Sequence, residues 1–260
     1  VLMRIASEQG QGAVNEDRAA AGTDWAFVLD GATAPPDVDT GCRHGVAWLV
    51  DRLAAALAAE LAAERPASLP DCLAAAIERT RGAHGGGCDL GNPDSPSATA
   101  AVARPARDGS ARLEYLVLAD CTVLLPEPGG GVRAVTDDRV ERLPGGRPYT
   151  RALVRAHRNA EGGFWVAGAV PEAAHRALVG LAPGRRFALL TDGCARLAEY
   201  FGHPWTHVWR RLADDGPEAL VAWVRAEERR RGVVRGKAHD DATALLGEFA
   251  PPAGEGARPA

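Results

Sequence analysis

Three times along this chain a strand-like apolar run ends directly in an aspartate and a turn. The runs are Trp25-Ala26-Phe27-Val28-Leu29-Asp30-Gly31, Leu116-Val117-Leu118-Ala119-Asp120 and Phe187-Ala188-Leu189-Leu190-Thr191-Asp192-Gly193. A fourth acidic pair, Asp240-Asp241, precedes the run Thr243-Ala244-Leu245-Leu246, and Glu16-Asp17 lies just before the first strand. A carboxylate beside a buried strand is costly unless something compensates its charge. Several such carboxylates, brought together by folding, suit a hard divalent cation that takes oxygen ligands. The pattern is a metal-site hypothesis, and it requires these strand ends to meet.

The chain around them is ordinary for a globular protein. With 260 residues, 46% hydrophobic and 25% charged, it is long enough to bury a large core. A formal charge of −4 argues against a nucleic-acid or acidic-membrane partner, which would call for a basic stripe. Cys42, Cys72, Cys88, Cys121 and Cys194 are odd in number and lack CxxC spacing. On spacing alone they indicate neither a disulfide frame nor a zinc site. No signal-like leader and no membrane-length apolar run is visible, so the chain reads as soluble, reduced and cytoplasmic.

Strand-like runs are expected up to about Leu29 (two, around a polar turn) and near 98–104, 112–119, 121–126 and 132–136. A further strand is expected at Phe164-Trp165-Val166. Helical spacing of Val46, Leu49, Val50, Leu53, Leu57 and Leu61 predicts a helix from Gly41 to about Glu64, stopped by Pro66. Further helices are predicted near 70–82, 150–158, 171–179 and 217–231, with a Trp-rich segment at 203–213. Consecutive strands bracketed by helices, without βαβ alternation, favour an α+β fold with two packed sheets.

The ordered set Asn15-Glu16-Asp17, Val28-Leu29-Asp30-Gly31, Ser97-Ala98-Thr99-Ala100, Ala119-Asp120, Leu190-Thr191-Asp192-Gly193 and Asp240-Asp241-Ala242-Thr243 resembles the metal-dependent protein phosphatases, the type 2C serine/threonine phosphatases. The resemblance implies a four-layer α-β-β-α sandwich with two central antiparallel sheets, in one domain over residues 1–250; the Pro/Gly/Ala-rich composition of 251–260 predicts a disordered tail. It implies two or three Mn²⁺ or Mg²⁺ ions. Asp30 would bridge two of them, with the Gly31 carbonyl, Asp192 and Asp240 completing one shell. Glu16 and Asp17 would serve the second ion, and Asp120 a third ion or the water network. The implied reaction is phosphomonoester hydrolysis by a metal-bridging water, on a phosphoserine/phosphothreonine protein or a small phosphate ester. No Ser-His-Asp or Cys-x5-Arg nucleophile arrangement competes with it. Asp30 is not a haloacid-dehalogenase-type second aspartate either, because Val28 stands where that nucleophile would be.

The departures concern substrate recognition. The family's phosphate-binding arginine, four positions before the first-motif glutamate, is Gly12 here. The usual Asp-Gly-His-Gly-Gly is Asp30-Gly31-Ala32-Thr33-Ala34, and the usual final Asp-Asn is Asp240-Asp241. Arg4, Arg18, Arg43 and His44 are candidate replacements, and Arg43 and His44 are favoured because they open the helix after the metal loop. His239 is a candidate to orient Asp240. The rewritten phosphate shell also supports an alternative, a non-catalytic phosphatase-like binding module.

Overall fold

The computed structural model describes residues 1–32, 34–35, 37–64, 67–233 and 235–251. Thr33, the Pro66 helix stop and nearly all of the proposed tail lie outside them. Among the described residues, ten strands form two antiparallel five-stranded sheets. One sheet is ordered β1 (Leu2–Glu8), β10 (Ala242–Glu248), β9 (Arg186–Leu190), β6 (Thr122–Pro126), β7 (Val132–Val135). The other is ordered β2 (Arg18–Ala21), β3 (Ala26–Ala32), β4 (Ser97–Pro105), β5 (Arg112–Leu118), β8 (Leu178–Pro183).

Strand periodicity explains the layering. Along β3, Ala26 and Val28 enter the core between the sheets with Val117, Val123, Leu189 and Leu245. Phe27 and Leu29 point the other way, into a second core beneath α1 (Val46–Leu61) and α2 (Leu69–Ala83). Both faces are buried, so β3 reads as an unbroken apolar run rather than an alternating one. On β9, Phe187 and Leu189 face inward, while Ala188 and Leu190 pack under α4 (Asp192–Glu199), α5 (Trp205–Asp215) and α6 (Pro217–Arg231). The result is the expected α-β-β-α order.

The helix boundaries follow local chemistry. The α1 stripe Val46, Leu49, Val50, Leu53, Leu57 and Leu61 is buried along one face, as its spacing requires. Ser68 caps α2 by accepting from the Asp71 N–H at 3.3 Å, and Pro70 fills a first-turn position where no N–H is needed. Between Gly216 and Gly232, both at positive φ, α6 starts on Pro217 and ends on Arg229-Arg230-Arg231 beside its negative dipole end.

Four elements differ from expectation. The first segment holds three strands, β1, β2 and β3, not two. α1 begins at Val46 instead of Gly41, because Gly41 sits at φ +67 and the next residues are engaged elsewhere. The helical stretch expected over 171–179 is a 3₁₀ turn, Pro171–Arg176, followed by β8. This edge strand is held by its backbone ladder to β5, and Leu178, Val179 and Leu181 stay exposed, so it lacks a strand's usual apolar pattern. Phe164-Trp165-Val166 forms no strand of its own; only isolated bridges, Arg158 with Phe164 and Ala98 with Ala167, occur there. A sixth helix, α3 (Arg151–His157), completes the α-helices among the described residues, the 3₁₀ turns apart. No described helix is long and apolar enough to cross a membrane.

Candidate functional site

Asp30 lies near the end of β3, Asp120 in the turn from β5 to β6, and Asp192 at the first residue of α4 just after β9. Asp17 precedes β2, and Asp240-Asp241 precede β10. These segments converge from both sheets. The Asp192 N–H donates to Asp30 Oδ2 at 3.4 Å, and Thr191 Oγ1 donates to Asp17 Oδ2 at 2.8 Å. Asp241 braces the N-terminal loop, its two oxygens accepting from the Gly10 and Glu16 N–H groups at 2.7 Å each.

Close backbone approach holds the loops together. A Cβ on Gly31 would meet Val46 Cγ1 at 2.5 Å and the Glu16 carbonyl oxygen at 2.8 Å. On Gly193 it would meet the Asp241 carbonyl oxygen at 2.0 Å. Gly193→Ala is therefore expected to cost about 3 kcal/mol, the upper end of overpacking losses. Urea titration checks this, and a variant of parent stability would show that the loops yield. Ala119, just before Asp120, adopts φ 61, where a Cβ costs roughly 1–2 kcal/mol.

The electrostatics are those of crowded, dehydrated anions. Burial, then the charges of Asp192, Asp17, Asp120 and Asp240, hold the Asp30 carboxyl well above its usual range. Burial, then Asp120 and Asp240, do the same at Asp192, against the pull of Arg196. Asp17 is pushed up to about 7, again chiefly by burial, although bonds from Thr243 and Thr191 oppose it. Asp17 Oδ1 and Asp120 Oδ1 are buried without a hydrogen-bond partner among the described residues. Orphaned carboxylate oxygens of this kind fit a divalent cation, which needs oxygen donors and neutralises their charge.

Asp240 is differently placed. Arg196 Nη2 reaches its Oδ2 at 2.8 Å and Lys237 Nζ its Oδ1 at 2.9 Å. Arg196 is fixed in turn by Glu228 at 2.9 Å, and Arg225 links Glu228 to the Asp240 carbonyl at 2.9 and 2.7 Å. His239 bonds Glu228 at 2.7 Å, so it supports this buried network rather than the Asp240 carboxylate directly.

Arg4 pairs with Glu218 at 3.0 Å, and Arg18 with Asp51 at 2.6 Å. Arg43 and His44 do not face the carboxylate cleft. Residues 39–45 bend toward the end of α2, where the Asp89 N–H donates to the Gly41 carbonyl at 2.7 Å. Asn92 Nδ2 donates to the Asp39 carbonyl at 3.0 Å. His44 stacks on Trp48, and the Arg43 guanidinium lies over Gly87. A cleft of about 460 Å³ beside Asp120 and Asp192 is instead lined by Arg147, Arg235, Glu141 and Glu199. Glu199 is pushed up to about 7 by burial and then by Asp120 and Glu141, while Arg235 and Arg147 pull it back. Arg147 and Arg235 sit on connecting segments, Glu141 in a 3₁₀ turn and Glu199 at the end of α4, and nothing local in the sequence marks them.

A sequence profile described as protein phosphatase 2C matches residues 6–225. The chain belongs to the protein phosphatase 2C family. It is accordingly a metal-dependent phosphatase by family. No curated protein matches the sequence. Solved structures share the fold at low identity. The serine/threonine phosphatase MsPP of Mycobacterium smegmatis, in complex with cacodylate, is 17% identical at TM-score 0.57, covering 96% of this chain and 99% of its own. The PstP catalytic domain with two manganese ions is 18% identical at TM-score 0.58, covering 95% and 97%. PppA, a type VI secretion regulator of Pseudomonas aeruginosa, is 20% identical at TM-score 0.58, covering 94% and 96%.

Proposed function

We propose that this phosphatase hydrolyses phosphoseryl or phosphothreonyl side chains of proteins, with Mn²⁺ or Mg²⁺ held by Asp17, Asp30, Asp120, Asp192 and the Gly31 carbonyl. The observation that carries the reading is the convergence of these strand-end aspartates with two buried, unpartnered carboxylate oxygens among them. The manganese site of PstP supports the choice of metal. When bound, such ions lower the proton affinity of water and neutralise charge developing on a phosphoryl group.

The protein's own residues contribute position and charge. Asp30 and Asp192, at the ends of strands in different sheets, face one another across the seam. Arg147 and Arg235 bring guanidinium groups into the cleft that holds Asp120 and Asp192. Arg147 is paired with Glu141 and Arg235 rests 4.7 Å over the Tyr200 ring, so a phosphate entering there would compete with Glu141 for them. They take the role that Gly12 leaves empty. Glu16 remains a candidate for the second ion, its backbone pressed against Gly31. Asp240 would add a further oxygen donor to the ligand set, with Lys237 2.9 Å from its Oδ1.

The pairing of both Asp240 oxygens with Arg196 and Lys237 favours a second reading, a non-catalytic binding module. A Mn²⁺-dependent assay on an aryl phosphate and a phosphopeptide panel separates the two. Hydrolysis that rises with Mn²⁺ is expected. Arg147→Ala should lower kcat/KM about 30-fold, the loss of one charged hydrogen-bonding contact, and Arg43→Ala should leave it near the parent value. Mn²⁺ binding without turnover of any ester would establish the non-catalytic module, and turnover of the aryl ester alone would point to a small-molecule substrate.

A further inference from the structure

Two cysteines whose spacing alone indicates no site, and two histidines, come together at the start of α1 and the end of α2. Cys42 and His44 lie in the segment leading into α1, His84 caps the end of α2, and Cys88 follows the 3₁₀ turn Gly85–Gly87. Cys42 Sγ is 3.4 Å from Cys88 Sγ and 3.4 Å from His84 Nδ1. His44 Nδ1 is 3.3 Å from His84 Nδ1, 3.4 Å from Cys88 Sγ and 3.7 Å from Cys42 Sγ. The four donor atoms all lie within 4.8 Å of one another.

Those distances have a geometric meaning. Zinc bonds of about 2.3 Å to sulfur and about 2.05 Å to nitrogen give tetrahedral edges of about 3.8 Å between sulfurs, about 3.6 Å between sulfur and nitrogen and about 3.3 Å between nitrogens. The five pairwise distances, Cys42 with Cys88, His84 and His44, and His44 with His84 and Cys88, fall within about 0.4 Å of those edges. A hydrogen bond between the imidazoles, one nitrogen donating and the other accepting, would account for that pair alone, not for both thiols converging on the same point. A disulfide does not account for it either, since it would engage the sulfurs and leave the histidines without a reason to converge.

The surroundings suit a metal. The Trp48 ring stacks on His44 at 4.0 Å and meets His84 edge-on at 4.6 Å, screening one side. The His44 N–H points at Cys42 Sγ at 3.4 Å, the kind of outer donor that steadies a bound thiolate. Gly85 at φ +65 and Gly41 at φ +67 let the two segments turn tightly enough to face each other.

We propose that Cys42, His44, His84 and Cys88 form a tetrahedral Cys2His2 site for one Zn²⁺ that clamps the start of α1 to the end of α2. Binding releases one proton from each thiol and involves no oxidation, and two thiolates balance the ion's charge. Donor softness keeps it distinct from the carboxylate centre: thiolate and imidazole select zinc, whereas the aspartates suit Mn²⁺ or Mg²⁺. The site also ties down the segment that continues from Asp30-Gly31.

The test uses the full chain, reduced and stripped with a chelator, then titrated with Zn²⁺ or Co²⁺. One equivalent of Co²⁺ should give the visible bands of a tetrahedral ion and a thiolate-to-cobalt charge-transfer band, and should quench Trp48 fluorescence. Zn²⁺ should displace it and persist in excess Mn²⁺. Cys42→Ser and Cys88→Ser should each weaken Zn²⁺ by more than about a hundredfold, since even outer partners of a ligand cost about 10–100-fold. Asp30→Asn should leave Zn²⁺ stoichiometry unchanged, which separates this site from the phosphatase reading. Absence of the charge-transfer band in the unmodified protein would overturn the proposal without relying on any variant's folding. So would a metal-independent loss of two thiols restored by reductant, the signature of a Cys42–Cys88 disulfide.

Discussion

Asp30→Asn is expected to abolish Mn²⁺-dependent hydrolysis, by more than about a hundredfold, while making the metal-free protein more stable under mildly alkaline conditions. The two effects have one origin. Asp30 is buried among Asp192, Asp17, Asp120 and Asp240, whose charges add to its dehydration. Asparagine keeps the shape, removes the charge and relieves the repulsion, at about 2–4 °C of melting temperature per kcal/mol recovered. It also removes the oxygen donor that a hard cation needs most. Melting curves with chelator and with Mn²⁺, alongside aryl phosphate turnover, check both halves. A variant less stable than the parent without metal, or one that keeps the Mn²⁺-induced shift, would contradict this account.

The same crowding sets the pH dependence of the metal-free protein. Asp17 titrates near 7 when folded, raised first by burial and then by Asp241 and Asp240 against the bonds from Thr191 and Thr243. The unfolded chain releases that proton near about 4. Across that window the folded state holds a proton the unfolded state has lost, so stability falls as pH rises. Asp30 and Asp192, also raised by burial and by neighbouring carboxylates, act in the same direction. Each unit of displacement is worth about 1.4 kcal/mol, so the loss between about pH 5 and about pH 8 is on the order of a few kcal/mol. Mn²⁺ should reverse the slope, because it binds the deprotonated carboxylates. Urea titrations over this range, with chelator or Mn²⁺, measure both slopes. Stability that climbs with pH in chelator, equally in the parent and in Asp30→Asn, would mean that the cluster does not govern it.

How far the chain could be read depended on the range of the signal. An aspartate closing an apolar run is local information, and Asp30, Asp120 and Asp192 could be named from it. The alternating cores were legible for the same reason, since period and burial act residue by residue along β3 and α1. β8 was not legible, because its place depends on a backbone ladder with β5 and not on an apolar face of its own. The Cys42-x-His44 and His84-x3-Cys88 pairs each look unremarkable. They acquire meaning only when α1 and α2 pack, bringing the end of one helix to the start of the other. Arg147 and Arg235 were missed for a similar reason: each lies in a connection whose path is decided by what it packs against.

The strand order carries a temporal consequence. β1 has β10 as its neighbour in the sheet, Leu2 opposite Glu248 through Glu8 opposite Ala242. During synthesis at roughly 5–20 residues per second, the β1 segment waits on the order of 10–50 s for its partner to leave the ribosome. Asp240 and Asp241 emerge just ahead of β10, so the carboxylate cluster cannot assemble before then. The phosphatase site is therefore inert until β10 has emerged, and the unpaired β1 is a natural client for a chaperone in the interval.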